Sequence, residues 1–190
     1  MNTLIQRLIV GSVILTPIFA HAHPGHHVHD AGFWTGFIHP FTGLDHLMMA
    51  LAFGVLMWTA TQRWKITGAI SLVLALVIGF VLGAKTTIFA GFAESGIIAS
   101  LIILAIALWT KSKTVFPIAV ALLATFHGVA HGTELASNGH VALQILGMVS
   151  AMSILYVAGL LIGQFMIRYI PYGKKIIGTL AAIVAVIGLA

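Results

Sequence analysis

Six ionisable side chains lie inside or at the ends of long apolar runs, where a charge is costly unless it is paired or lines a wet cavity. They are the carboxylates Asp45, Glu94 and Glu134 and the imidazoles His46, His127 and His131. Imidazole and carboxylate groups without sulfur suit Ni²⁺, Co²⁺, Cu²⁺ and Zn²⁺. The chain has no cysteine, which excludes thiolate metal sites, disulfides and cysteine nucleophiles. These residues therefore predict the binding of a divalent transition metal.

The spacing of these side chains indicates shared helix faces. His127, His131 and Glu134 fall at positions i, i+4 and i+7, which form one stripe along a helix. In the first predicted span, His39 and His46 are seven residues apart and also share a face, with Asp45 one position round. Pro40 suits the first turn of that helix, because its missing N–H has no partner there anyway. We therefore predict that the first helix starts at residue 39.

The composition decides which elements carry these residues. Of 190 residues, 60% are hydrophobic and 7% are charged, whereas a soluble domain has about 25% charged residues. This excludes a water-soluble globular protein and predicts an all-α, polytopic transmembrane helical bundle, because apolar runs longer than 18 residues recur. We predict six spans, at about residues 39–60, 66–84, 88–109, 115–135, 141–166 and 174–190. There is no internal repeat, so residues 39–190 form one membrane domain.

The N-terminal segment predicts secretion. Residues 1–22 combine an early cation, an apolar stretch and small residues around His21, which is the pattern of a signal peptide cleaved after Ala22. An uncleaved first span is the alternative. With the mature N-terminus outside, seven cations fall in inner loops and one in an outer loop: Arg63, Lys65, Lys111, Lys113, Arg168, Lys174 and Lys175 against Lys85. The positive-inside rule thus favours a bundle with both termini outside.

The ionisable residues of separate spans share one depth. At about 1.5 Å per residue, Asp45, His46, Glu94, His127 and His131 all lie about 18–24 Å from the inner end of their spans. Polar residues with unrelated roles would have no reason to share a level, so we predict one layer in the outer half of the membrane. The inner half has almost no ionisable residue, and Gln144 and Gln164 are the candidates there.

The predicted periplasmic segment, residues 23–38, is rich in histidine. His23, His26, His27 and His29 would lie on the outer face after signal cleavage. A short histidine-rich tract of this kind is typical of an ion-capture tail. The alternative is a solvated tail with no metal role.

Three stretches resemble one protein family. The sequences HPFTGLDHLMMALAFGVLMW at 39–58 and FHGVAHGTE at 126–134 look like the hallmark motifs of the HupE/UreJ family. The segment FAESGIIASLIILAIAL at 92–108, with Glu94, resembles that family's third-span motif. The family comprises membrane proteins associated with nickel hydrogenases and ureases and regarded as nickel or cobalt permeases. The resemblance implies an ion site formed by His39, Asp45, His46, His127, His131 and Glu134.

These observations predict a multi-pass permease of the bacterial inner membrane, rather than an enzyme, that carries a divalent metal to metalloenzymes such as hydrogenase or urease. Nickel or cobalt is favoured, copper and zinc are alternatives, and no prosthetic group is expected. The expected partners are the lipid bilayer, the metal ion and metalloenzyme maturation proteins. Nucleic acid is excluded because the basic residues form no patch.

Two rival functions use the same residues. One is a metal-binding accessory or assembly protein that does not transport. The other is an intramembrane metal-dependent hydrolase, in which the ion activates water. HGVAH has the paired histidines of a zinc protease, but Gly128 stands where such a protease has its glutamate base. A hydrolase would therefore need Glu94 or Glu134 as its base.

Overall fold

Seven helices make up the part of the chain that the structure, a computed structural model, describes: residues 32–86, 88, 90–110, 115–135 and 140–189. No strand occurs in these ranges. The helices are α1 (Phe33–Thr42), α2 (Leu44–Trp58), α3 (Gln62–Lys85), α4 (Ala90–Trp109), α5 (Val115–Leu135), α6 (Val141–Tyr169) and α7 (Gly173–Ile187). The predicted signal peptide, residues 1–22, lies outside the described residues. The predicted all-α class agrees with this part of the chain.

Glycines hold α3 and α5 together at close range. A Cβ on Gly128 would overlap the Leu76 carbonyl, and one on Gly79 would overlap the Thr125 carbonyl. The two backbones can approach this closely because neither residue has a side chain, as is common where membrane helices cross. Gly128 and Gly79 thus fix which side of α5 meets α3. The adjacent imidazole of His127 is directed instead toward α2, where it meets His46.

The first predicted span is broken, and the prediction of a continuous helix over residues 39–60 was wrong. α1 ends at Thr42 and α2 begins at Leu44, with an angle of 81° between the two helices. Gly43 between them has an extended backbone, with φ −86° and ψ 117°. Pro40 lies in the last turns of α1 rather than at its start, and it offers no N–H to continue the helical ladder. The helix also begins earlier than predicted, at Phe33.

The prediction of six spans was also too high. Within the described residues, four helices are long and apolar enough to cross a membrane, and the bent pair of α1 and α2 raises the number to at most five. The last predicted span corresponds to α7, which has 15 residues. Its length is about 22 Å, which is short of a hydrocarbon core of about 30 Å. α7 packs against α4, and its residues Ala181 and Ala185 are buried.

Helix α1 is held in place by α6. A Cβ on Gly36 would overlap the Gln144 carbonyl, and one on Gly147 would overlap the Phe33 carbonyl. The opposite side of α1 carries Trp34 and Ile38, which are exposed. Because α1 is fixed at an angle to α2, His39 near its end can face back toward the start of α2.

Candidate metal site

Three helices bring six of the predicted residues together. α1 supplies His39, the start of α2 supplies Asp45 and His46, and the last turns of α5 supply His127, His131 and Glu134. The bend at Gly43 makes this possible, because it turns the end of α1 and the start of α2 toward the same face of α5. His39 and His46 therefore meet across a break in the chain rather than along one continuous helix face.

The four imidazoles form a continuous chain of ring contacts. The ring centroids of His39 and His131 are 4.6 Å apart, those of His131 and His46 are 4.4 Å apart, and those of His46 and His127 are 4.9 Å apart. His39 and His46 also approach each other, at 5.9 Å. Neighbouring histidines from three helices thus lie close enough to bind one ion together or to pass an ion from one ring to the next.

Most ring nitrogens of this chain are buried without a hydrogen bond. His127 and His131 have 0% exposure, and neither nitrogen of either ring has a hydrogen-bond partner among the described residues. Nε2 of His46 is also buried and has no hydrogen-bond partner among the described residues. Buried polar atoms nearly always have a partner, and exceptions commonly mark functional groups or ion sites. Each neutral imidazole has one nitrogen with a free lone pair, so these three rings offer a divalent cation one ligand atom each.

Asp45 orients His46. Nδ1 of His46 lies 2.9 Å from Oδ1 of Asp45. Since an ionised carboxylate only accepts hydrogen bonds, Nδ1 carries the proton and donates it to Asp45, which leaves the lone pair on Nε2. Metal-binding histidines commonly have this arrangement, in which a carboxylate fixes the ring and its tautomer. The side chain of Asp45 is 32% exposed and retains its second oxygen for the ion.

The ligands divide into two groups of three. In the first, His39, His131 and Glu134 each offer a ligand atom, and all three atoms lie within 4.8 Å of one another. Nε2 of His39 lies 3.4 Å from Oε2 of Glu134. The second group is Asp45, His46 and His127, with the same spacing. Glu134 is 58% exposed, whereas both histidines of the second group are buried, so the first group is the more accessible of the two.

Glu94 stays outside both groups. It is exposed near the start of α4 and lines a cavity of about 200 Å³ together with Asp45. Val184 and Gly188 at the end of α7 form part of the same cavity. The structure thus places Glu94 beside the site, on the approach to Asp45.

The other predicted residues lie elsewhere. His23, His26, His27 and His29 fall outside the described residues. Gln164 is exposed. Gln144 lies at the start of α6 against α1, and its amide is buried with no hydrogen-bond partner among the described residues. Because α1 also carries His39, Gln144 belongs to the half of the bundle that holds the histidines, not to the opposite half.

The sequence did not reveal a second cavity, whose wall includes the exposed apolar side chains of Leu74, Ile78 and Ile118. It has a volume of about 280 Å³ and lies between α2, α3 and α5. Thr125, two residues before His127, lines one part, and Trp64 near the start of α3 lines another. Its polar groups include the hydroxyls of Thr67 and Ser71. Serine and threonine are too common in membrane helices to have been recognised from sequence alone.

Gly43 is the positioning residue that sequence reasoning missed. A Cβ at this position would lie 2.6 Å from Nδ1 of His46 and 3.0 Å from Oδ1 of Asp45. The glycine therefore leaves the space in which the imidazole and the carboxylate form their hydrogen bond. Gly43 itself was the available signal, since a glycine inside a helical pattern costs about 1 kcal/mol relative to alanine and so weakens the helix there.

Replacing Gly43 with alanine is expected to weaken metal binding about 10- to 100-fold, the usual effect of disturbing the partner of a metal ligand. The backbone at Gly43 is accessible to alanine, so the bend should persist while the Asp45–His46 pair moves. Titration calorimetry with Ni²⁺ in detergent measures the effect. Gly91→Ala is the control, because nothing lies within 4 Å of its added methyl group. Unchanged affinity in Gly43→Ala would contradict this role.

Comparisons with known proteins agree with the motifs. The family model described as HupE / UreJ protein matches residues 11–190. Protein HupE of Rhizobium leguminosarum bv. viciae is 30% identical over 184 residues, which cover 94% of this chain and 93% of that protein. No solved structure gives a significant match. The family is associated with nickel and cobalt handling for hydrogenase and urease, and it is an accessory and transport family rather than a known enzyme family. The chain therefore belongs to the HupE/UreJ family.

Proposed function

We propose that this protein is a permease that moves a divalent transition metal, nickel or cobalt, inward across a bacterial inner membrane. The observation that carries the proposal is the chain of four imidazoles, with five buried nitrogens that have no partner among the described residues. Burying polar groups unpaired is unfavourable, and an ion bound through one nitrogen of each ring would offset part of that cost. Mixed imidazole and carboxylate ligation suits Ni²⁺ and Co²⁺, with Cu²⁺ and Zn²⁺ as alternatives.

The two ligand groups act as successive stations. An ion reaches the exposed group of His39, His131 and Glu134 first, and passes to the buried group of Asp45, His46 and His127. The step is short, because the rings of His131 and His46 are 4.4 Å apart. Because imidazoles of the two groups are adjacent, the ion can exchange one ligand at a time without regaining its full hydration shell.

From the buried group we place the rest of the path between α2 and α5, toward the start of α5. We place the mature N-terminus outside the membrane, in keeping with the cations that cluster in the loops assigned to the inner side. The metal leaves on the inner side and is delivered to maturation proteins of metalloenzymes.

Uptake of labelled metal into vesicles tests the proposal against its rivals. A permease accumulates Ni²⁺ or Co²⁺ inside, whereas an accessory protein or a metal-dependent hydrolase binds metal without accumulation. Comparing Ni²⁺, Co²⁺, Cu²⁺ and Zn²⁺ in one preparation identifies the cargo. Binding of metal to the protein with no accumulation of any of the four ions would overturn transport and favour the accessory role.

The histidine-rich tail is expected to capture ions rather than to carry them. Deleting residues 23–30 should raise the half-saturating metal concentration several-fold and leave the maximal uptake rate nearly unchanged, because the two ligand groups stay intact. The concentration dependence of uptake in vesicles measures both quantities. A variant with serine at His23, His26, His27 and His29 keeps the length and should behave like the deletion. A loss of maximal rate at unchanged half-saturation would contradict the capture role.

A further inference from the structure

An apolar crevice of about 390 Å³ lies between α3 and α6, away from the metal site. Ile66 and Ala69 of α3 form one wall, and Val157 and Leu161 of α6 form the other. Ile66, Val157 and Leu161 are each more than half exposed. Both helices are long and apolar enough to cross the membrane, so the crevice opens onto the hydrocarbon of the bilayer.

One end of the crevice is basic. Lys65 and Gln62, in the first turn of α3, line it, and Nζ of Lys65 lies 4.0 Å from the centroid of the Trp58 ring, which lines it too. No carboxylate lines the crevice among the described residues. The described carboxylates lie instead around the metal site, at the start of α2 and α4 and the end of α5. The ammonium group therefore offers charge complementarity to an anion from outside the chain.

The crevice is preformed. The hydroxyl of Tyr156, on the α6 wall, donates a hydrogen bond of 2.8 Å to the carbonyl of Lys65. The ring of Tyr156 also packs against Phe53 of α2, at 5.7 Å between centroids. These contacts tie the first turn of α3 to α6, so a ligand need not order the walls before it binds.

We propose that this crevice is a binding site for an anionic phospholipid. One acyl chain lies along Ala69 and Leu161, and the phosphate of the headgroup meets Lys65 beside Trp58. A phospholipid joins an apolar chain to a charged group at the membrane surface, which is the combination that the crevice presents. Basic pockets between membrane helices bind anionic headgroups in this way, and tryptophan favours the same interface.

The test is lipid retention by the purified full-length protein, measured by native mass spectrometry with phosphatidylglycerol or phosphatidylcholine added. We expect one phosphatidylglycerol to be retained more strongly than phosphatidylcholine, and Lys65→Gln to reduce that retention about fivefold, as expected for one interfacial cation. Lys65→Arg should restore it. Lys85→Gln is the matched control, because Lys85 is at the opposite end of the same helix.

Further arms separate the alternatives. Ala69→Phe should fill the crevice and lower retention of both lipids, whereas Ile70→Phe, at an exposed neighbouring position, should not. Inorganic phosphate should not displace the lipid or raise thermal stability. Equal retention of the two lipids, equal effects of Lys65→Gln and Lys85→Gln, or stabilisation by phosphate alone would overturn the proposal. A dimer formed through this crevice in phosphatidylcholine would overturn it as well.

Discussion

Replacing His131 with alanine is expected to abolish metal uptake. His131 is the imidazole that joins the two ligand groups, because its ring contacts His39 at 4.6 Å and His46 at 4.4 Å. Loss of an outer partner of a metal ligand typically costs about 10- to 100-fold, so loss of a direct ligand that also adjoins the second group should reduce uptake by more than about 100-fold. The initial rate of radiolabelled nickel uptake into vesicles measures this.

The control for His131→Ala lies two residues further along the same helix. Thr133 is exposed, and its hydroxyl donates a hydrogen bond to the Ala130 carbonyl of the same helix. Thr133→Ala should therefore transport at the wild-type rate. His127→Ala should behave like His131→Ala, because His127 is equally buried. All three variants should insert into the membrane in equal amounts. Wild-type uptake kinetics in both histidine variants would rule out the path through α5.

The second large effect separates the two stations. Glu134→Ala removes a ligand from the exposed group, and we expect it to raise the half-saturating metal concentration with little change in maximal rate. His46→Ala removes a ligand from the buried group, which every ion must cross, and we expect it to lower the maximal rate more than about tenfold. The concentration dependence of uptake for the two variants gives both parameters.

One outcome would contradict the separation into two stations. If Glu134→Ala and His46→Ala changed one parameter by the same factor, the two groups would be one site that binds a single ion. Asp45→Asn refines the test, because asparagine can still accept the hydrogen bond from Nδ1 of His46 but has lost the charge. It should impair transport less than Asp45→Ala, which removes both functions.

The stripe on α5 could be predicted from sequence because that helix is unbroken through it. Spacings of four and three residues then fix a common face, and His127 and His131 are buried where that face meets His46 of α2 and His39 of α1. The shared level of α2 and α5 could be anticipated for a similar reason. Each residue adds about 1.5 Å to a straight helix, whatever its neighbours.

The bend between α1 and α2 could not be predicted in this way. Hydropathy records how apolar a run is and is insensitive to its direction, so residues 33–58 appear as one apolar stretch although Gly43 turns it by 81°. The division of the ligands into two groups depends on this bend, because it turns His39 toward His131 and Glu134. The position of the short helix α7 could not be predicted in this way either, because its packing against α4, rather than its length, determines where it lies.

The most direct test of metal transport uses sealed proteoliposomes that contain a metal-sensitive dye. External Ni²⁺ or Co²⁺ should raise the internal signal with wild-type protein, and His131→Ala should remove that rise while the liposomes stay intact. Such a dye responds only to ions that have crossed, so metal held by the protein does not contribute. A wild-type signal no greater than that of protein-free liposomes, with metal still bound to the protein, would contradict the transport account.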